Sequence, residues 1–173
     1  MRVLSRLFLL LCALLPASVA ADDPPRAAVP EKVFSSNRQF SALVDPVAKV
    51  ATVYRETRSP QKRWEMPANF TNVLVSDDGR HLVAYHRGGN VLDLSHAPDE
   101  IVLSFYDRGR LLTHVRLNEI IRDADLVRTQ SHHIWAVSFG FVSAQRFRVE
   151  TADHRVHTFN VTTGKPTRTR SQP

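Results

Sequence analysis

Residues 101 to 117 read Ile-Val-Leu-Ser-Phe-Tyr-Asp-Arg-Gly-Arg-Leu-Leu-Thr-His-Val-Arg-Leu, and this stretch decides the fold. Two runs rich in aliphatic and aromatic residues flank Asp107, Arg108 and Gly109. Glycine reaches positive φ without a Cβ clash, and aspartate hydrogen-bonds its own backbone, so the centre predicts a tight turn. In the second run Leu111, Thr113, Val115 and Leu117 alternate with Arg110, Leu112, His114 and Arg116. A strand sends successive side chains to opposite faces, so the first set is expected inside. The unit predicted is an antiparallel hairpin of Ile101–Tyr106 and Arg110–Leu117.

The same grammar recurs on both sides. Phe40–Val44 and Lys49–Arg55 are joined through Asp45 and Pro46, and Asn72–Ser76 and His81–His86 through Asp77, Asp78 and Gly79. Arg146–Thr151 and Val156–Val161 turn at Ala152, Asp153 and His154, with Phe147, Val149 and Thr151 on the predicted inner face. Val73 to Val75 and Ile134 to Val137 are unbroken apolar runs, which predicts central strands covered on both sides. Asn118 is placed to cap one short helix near 118–127, about two turns long. Gly88 to Glu100 shows little periodicity and reads as a long loop. The expectation is an all-β, mainly antiparallel domain. A closed propeller needs at least about four blades of roughly 40 residues, so blade-like hairpins in a two-sheet or partly open arrangement are predicted.

The N-terminus carries a different message. Arg2 and Arg6 precede an apolar block from Leu7 to Leu15, followed by Pro16 and the small residues Ala17 to Ala20. That order predicts a signal peptide over 1–21, cut after Ala20 or Ala21. The block is shorter than the ~20 apolar residues of a membrane span, so no transmembrane anchor is expected. Residues 22–33 are proline-rich and read as a flexible linker, 34–164 as the β domain and 165–173 as a basic flexible tail. Cys12 is the single cysteine and would leave with the leader. The mature chain then has no disulfide and no thiolate chemistry. Export to the periplasm or beyond is the localisation predicted.

The formal net charge of +6 is unevenly placed. Arg2 and Arg6 hold two of these charges and Lys165, Arg168 and Arg170 three more, leaving about +1 on residues 21–162. A near-neutral body argues against a nucleic-acid partner. It leaves a weak anionic-surface contact through Lys165, Arg168 and Arg170 as a minor alternative function.

The run from Val75 through Ser76, Asp77, Asp78, Gly79, Arg80, His81 and Leu82 to Val83, with Ile101–Tyr106 and Arg110–Glu119, resembles small exported bacterial proteins of unknown function with β-propeller-like hairpins. The resemblance covers roughly Phe34 to Lys165. It implies a periplasmic home and a β fold, and it carries over no catalytic residue.

Catalytic signatures are missing: the sequence holds no zinc-protease helix motif, nucleophile elbow, phosphate loop or calcium loop. Clusters remain. Eight histidines stand out, because imidazole ligates metals and moves protons near neutrality. His132 and His133 are adjacent, so on a strand they face opposite ways and cannot share one ion. No metal site and no cofactor are therefore expected. Asp93, His96, Asp99 and Glu100 gather carboxylates beside an imidazole, and Ser131, His132, His133 and Trp135 enter an apolar strand. The ligand-binding candidates are Asp93, His96, His132, His133 and Trp135. Trp64 and Trp135 are expected to close the core or its edge. His157 shares a face with Phe159 and reads as a half-buried, hydrogen-bonded histidine. The function predicted is a non-enzymatic binding or interaction module of the cell envelope whose partner the sequence does not name. The alternative is a metal-assisted or hydrolytic enzyme using the histidine and aspartate loops.

Overall fold

Hydroxyl side chains bonded to carboxamide or carboxylate oxygens organise three of the turns. In the computed structural model, which describes residues 29–167, Ser35, Ser76 and Thr151 are each almost fully buried beside a hairpin bend. The Ser35 hydroxyl donates to Asn37 Oδ1 at 2.8 Å, Ser76 to Asp78 Oδ1 at 2.6 Å and Thr151 to Asp153 Oδ1 at 2.6 Å. The next residue in each case, Arg38, Gly79 or His154, has positive φ. A Ser/Thr-x-Asp/Asn unit followed by a left-handed residue thus closes three hairpins. At Gly79 the requirement is double, because φ is +64° and a Cβ there would lie 2.0 Å from Phe40 Cδ1.

The strands between these turns form four antiparallel sheets among the described residues. β1 (Glu31–Phe34), β2 (Phe40–Asp45), β3 (Val50–Arg55) and β4 (Gln61–Pro67) make the first, in chain order. β5 (Val73–Val75) and β6 (His81–Tyr85) begin the second, and β7 (Val91–Asp93) leaves it. β8 (Ile101–Asp107) and β9 (Arg110–Arg116) return, giving the order β5-β6-β8-β9. A single turn of helix, α1 (Leu117–Ile120), and a 3-10 turn (Asp123–Asp125) precede β10 (Val127–Arg128) and β11 (His132–Ile134). β10, β11 and β7 form a three-stranded composite sheet. β12 (Ala136–Ser143), β13 (Arg146–Thr151), β14 (Val156–Asn160) and β15 (Lys165–Thr167) make the last sheet, again in chain order.

The second sheet divides the interior. Leu82, Ala84 and Tyr106 face the first sheet and pack with Val44, Val53 and Met66. Val83, Leu103 and Phe105 face the other way and pack with Trp135, Phe147 and Phe159. Alternation along β6 and β8 produces this two-faced wall, and each large apolar side chain buried there contributes about 1.5–3 kcal/mol. The all-β antiparallel fold is as the sequence indicated, with blade-like four-stranded sheets.

Several local expectations are corrected. Val73–Val75 is an edge strand of its sheet, not a central one. Ile134 to Val137 is not one strand: the chain changes sheets at Trp135, and Val137 is 51% exposed. The helix is one turn rather than two, and its cap is Arg116, whose backbone N–H donates to Glu119 Oε2 at 2.7 Å. Asn118 lies inside it. The stretch 88–100 holds β7, so it is not loop throughout. Leu111 is exposed where it was expected inside, because a register shift between Phe105 and Tyr106 pairs Tyr106 with Leu111 and turns Leu112 toward the core. β1 starts within the stretch read as linker, and β15 starts at the first residue read as tail. Ala20, Ala21, Arg168 and Arg170 lie outside the described residues.

Candidate functional site

Two places gather polar side chains beside apolar ones. The first is the composite sheet. Its register sets His132 opposite Asp93 and His133 opposite Leu92, so the two adjacent histidines do take opposite faces. On one face the Ser131 hydroxyl lies 3.0 Å from His132 Nδ1. The Asp93 carboxylate, 74% exposed, is 3.4 Å from Arg87. A hydrolytic relay needs the imidazole between hydroxyl and carboxylate, and Asp93 is turned to Arg87 instead.

On the other face His96 and His133 meet. Their rings are T-shaped with centroids 5.0 Å apart, and the two Nδ1 atoms are separated by 3.3 Å. The His96 side chain is only 4% exposed. Its Nε2 lies 2.8 Å from Asp123 Oδ1 and its Nδ1 3.0 Å from the Asp93 carbonyl oxygen. Of the predicted carboxylates, Asp99 binds Arg116 at 3.2 Å and Glu100 binds His86 Nε2 at 3.0 Å. Neither joins His96. Trp135 is fully buried, stacks on Phe139 with centroids 5.6 Å apart and donates its indole N–H to Gly89 O at 3.0 Å. It closes the core and offers no ligand platform. Trp64 is half-buried and donates to Gly79 O at 2.8 Å. His157 is half-buried, as expected, but its Nε2 is buried without a hydrogen-bond partner among the described residues. Asp123 is the member of this cluster that the sequence reading missed, since nothing in its spacing links a 3-10 turn to a loop 27 residues earlier.

The second place is a groove between the first and second sheets. It is a cavity of about 570 Å³ whose lining includes Met66, Phe70, Tyr85, His86, Ser104, Tyr106, Leu111 and His114. Phe70 and Tyr106 have ring centroids 5.7 Å apart, tilted by 45°. Across β8 and β9 the Ser104 hydroxyl lies 2.8 Å from His114 Nδ1. Burial pushes the Tyr85 and Tyr106 phenols up, so both stay neutral O–H groups at physiological pH. At the rim Ile101 and Leu111 are 38% and 44% exposed. The groove was not legible, because its aromatic walls come from Phe70 in the loop between β4 and β5 and from Tyr85 and Tyr106 on β6 and β8. Leu111 reaches it through the register shift.

Among the described residues no group of three or more His, Cys, Asp or Glu side chains is placed to hold a metal ion. No helix among them is long and apolar enough to cross a membrane.

No protein-family model matches the chain, and no curated protein matches it. Solved structures of similar fold include BamB from Moraxella catarrhalis, at 12% identity and TM-score 0.45, covering 80% of this chain and 35% of that one. The periplasmic gluconolactonase PpgL of Pseudomonas aeruginosa is 16% identical with TM-score 0.41, covering 85% of this chain and 40% of that one. The β-propeller domain of Myceliophteria thermophila Cps50 (Swd1) is 15% identical with TM-score 0.36, covering 82% and 40%. The chain therefore spans well under half the length of each.

Proposed function

We propose that this chain is a non-enzymatic binding module, exported by the leader read over residues 1–21, that takes an envelope component into the groove between its first two sheets. The observation that carries the reading is the groove itself. Its volume of about 570 Å³ lies within the roughly 300–1,000 Å³ of small-ligand sites. Its walls combine apolar and aromatic area from Met66, Phe70 and Tyr106 with the mutually bonded polar groups of Ser104 and His114. That mixture suits a ligand with one apolar face and hydroxyl or carbonyl groups along its edge.

Site-specific photo-crosslinking tests it. A benzophenone amino acid at Leu111 is expected to give a discrete adduct with an envelope component, and the same probe at Val47, 76% exposed, is expected to give none. No adduct from Leu111, or the same adduct from both positions, would reject the groove as the binding site.

A further inference from the structure

The contacts of His96 bring a second imidazole nitrogen and a carbonyl oxygen within 3.3 Å of its Nδ1. Asp123 Oδ1 accepts, so the His96 nitrogen 2.8 Å away, Nε2, carries the proton of that bond. In a neutral ring Nδ1 then holds a lone pair. That lone pair looks onto the Asp93 carbonyl oxygen at 3.0 Å, which also accepts only, and onto His133 Nδ1 at 3.3 Å. Without a ligand, a proton on His133 Nδ1 is donated to that lone pair, and the Asp93 carbonyl accepts the His96 backbone N–H at 3.1 Å. A metal ion that displaces the His133 proton would take both imidazole lone pairs and the carbonyl oxygen at once.

The separation fits such an ion. Two imidazole nitrogens at about 2.0–2.1 Å from zinc subtend close to the tetrahedral angle when they are about 3.3 Å apart, and 3.3 Å is the distance between His96 Nδ1 and His133 Nδ1. Asp123 holds the far N–H of His96, the carboxylate–histidine–metal arrangement that orients a ligating ring. We infer that His96 Nδ1, His133 Nδ1 and the Asp93 carbonyl oxygen form a binding site for a late first-row divalent ion such as Zn²⁺, with solvent completing the coordination. Two histidines and one carbonyl make a low-ligand, exchangeable site, consistent with the lack of a third side-chain ligand among the described residues. The adjacency of His132 and His133 does not bear on it. The partner of His133 is His96, brought in by the pairing of β11 with β7.

The test is Zn²⁺ titration of the protein purified without a histidine tag, read by competition with a chromophoric chelator. One equivalent is expected to bind. His133→Ala and His96→Ala should each lower the affinity at least about tenfold, and Asp123→Asn by about 10- to 100-fold through loss of ring orientation. His154→Ala, at a 79% exposed side chain, should leave it unchanged. Circular dichroism confirms the fold of each variant, and if His96→Ala does not fold, imidazole NMR of the unsubstituted protein replaces it, with the His96 and His133 rings shifting together on Zn²⁺ addition. Absence of saturable binding overturns the site, as does binding that survives the loss of His133. The groove proposal is untouched by either result.

Discussion

The hairpin sheets and the composite sheet are built on opposite plans. In the first and last sheets every strand pairs with its neighbour in sequence, and the second departs from that rule only where β7 leaves. The composite sheet joins β7 to a β11 some forty residues downstream, with strands of three, three and two residues. Its side chains are mostly half-buried or exposed, with Leu92 its fully buried member. A local hairpin is stabilised by its own turn and alternation, whereas a short composite sheet depends on what it packs against. The difference locates the histidine cluster on the part of the molecule held least by local sequence.

Trp135 is the sharpest place to break that contrast, because it stands between β11 and β12. Its backbone N–H donates to Asn90 O at 3.0 Å, its carbonyl accepts from Ala152 N at 3.0 Å, and its indole is fully buried. Trp135→Ala is expected to cost about 3–5 kcal/mol in urea unfolding, the range for large buried aromatics. A loss below about 1 kcal/mol would mean that the composite sheet does not rest on the core.

Two glycines separate the plans more finely. Gly164 has φ +68°, and a Cβ there would lie 2.3 Å from Thr113 Cγ2, inside the contact between the last and second sheets. Gly89, at φ +69° before β7, has no heavy atom within 4 Å of that position. Gly164→Ala should cost at least about 2 kcal/mol, from left-handed strain plus overpacking, and Gly89→Ala about 1 kcal/mol from strain alone. Equal losses in thermal unfolding would remove the distinction.

Acid sensitivity is the smallest expected effect. Burial holds both His81 and His157 below the ordinary imidazole value, and both belong to hairpin sheets. Asp78 and Asp107 oppose that shift at His81, Arg80 adds to it, and at His157 Arg155 adds while Asp153 opposes. The folded state therefore keeps these rings neutral, while the unfolded chain takes up protons below about pH 6.5. Stability is expected to be full above that pH and to fall as the pH drops through the lowered folded values. His157→Asn should flatten the melting temperature between pH 7 and pH 5. An unchanged slope in that variant would assign the acid sensitivity to other groups.

What could be read from the residues follows the same division. Arg146–Thr151 and Val156–Asn160 were legible because alternation and the Asp153 turn lie in one continuous stretch, and Phe147 and Val149 are buried as the pattern requires. Asp78 was legible as a turn residue. The role of the Ser76 hydroxyl beneath it was not, since a buried serine in a bend has no periodic signature. β7 was hidden because three residues, Val91–Asp93, are too few to show a period. His96 and His133 stood out as candidates but in separate clusters, Asp123 carried no signal, and only pairing across tens of residues brings the three together. Leu111 shows the remaining kind of miss: a bulge changes which face a side chain takes without changing the residues that precede it.

The chain-order layout of the first and last sheets also bears on how the polypeptide assembles. As the chain emerges N-terminus first, β1 to β4 can close together before any later strand exists, and β12 to β15 need nothing from upstream to pair. Strand β7 waits longest, its edge unsatisfied, until β11 arrives roughly forty residues later. That interval is where a nascent copy would be most open to pairing with a stranger.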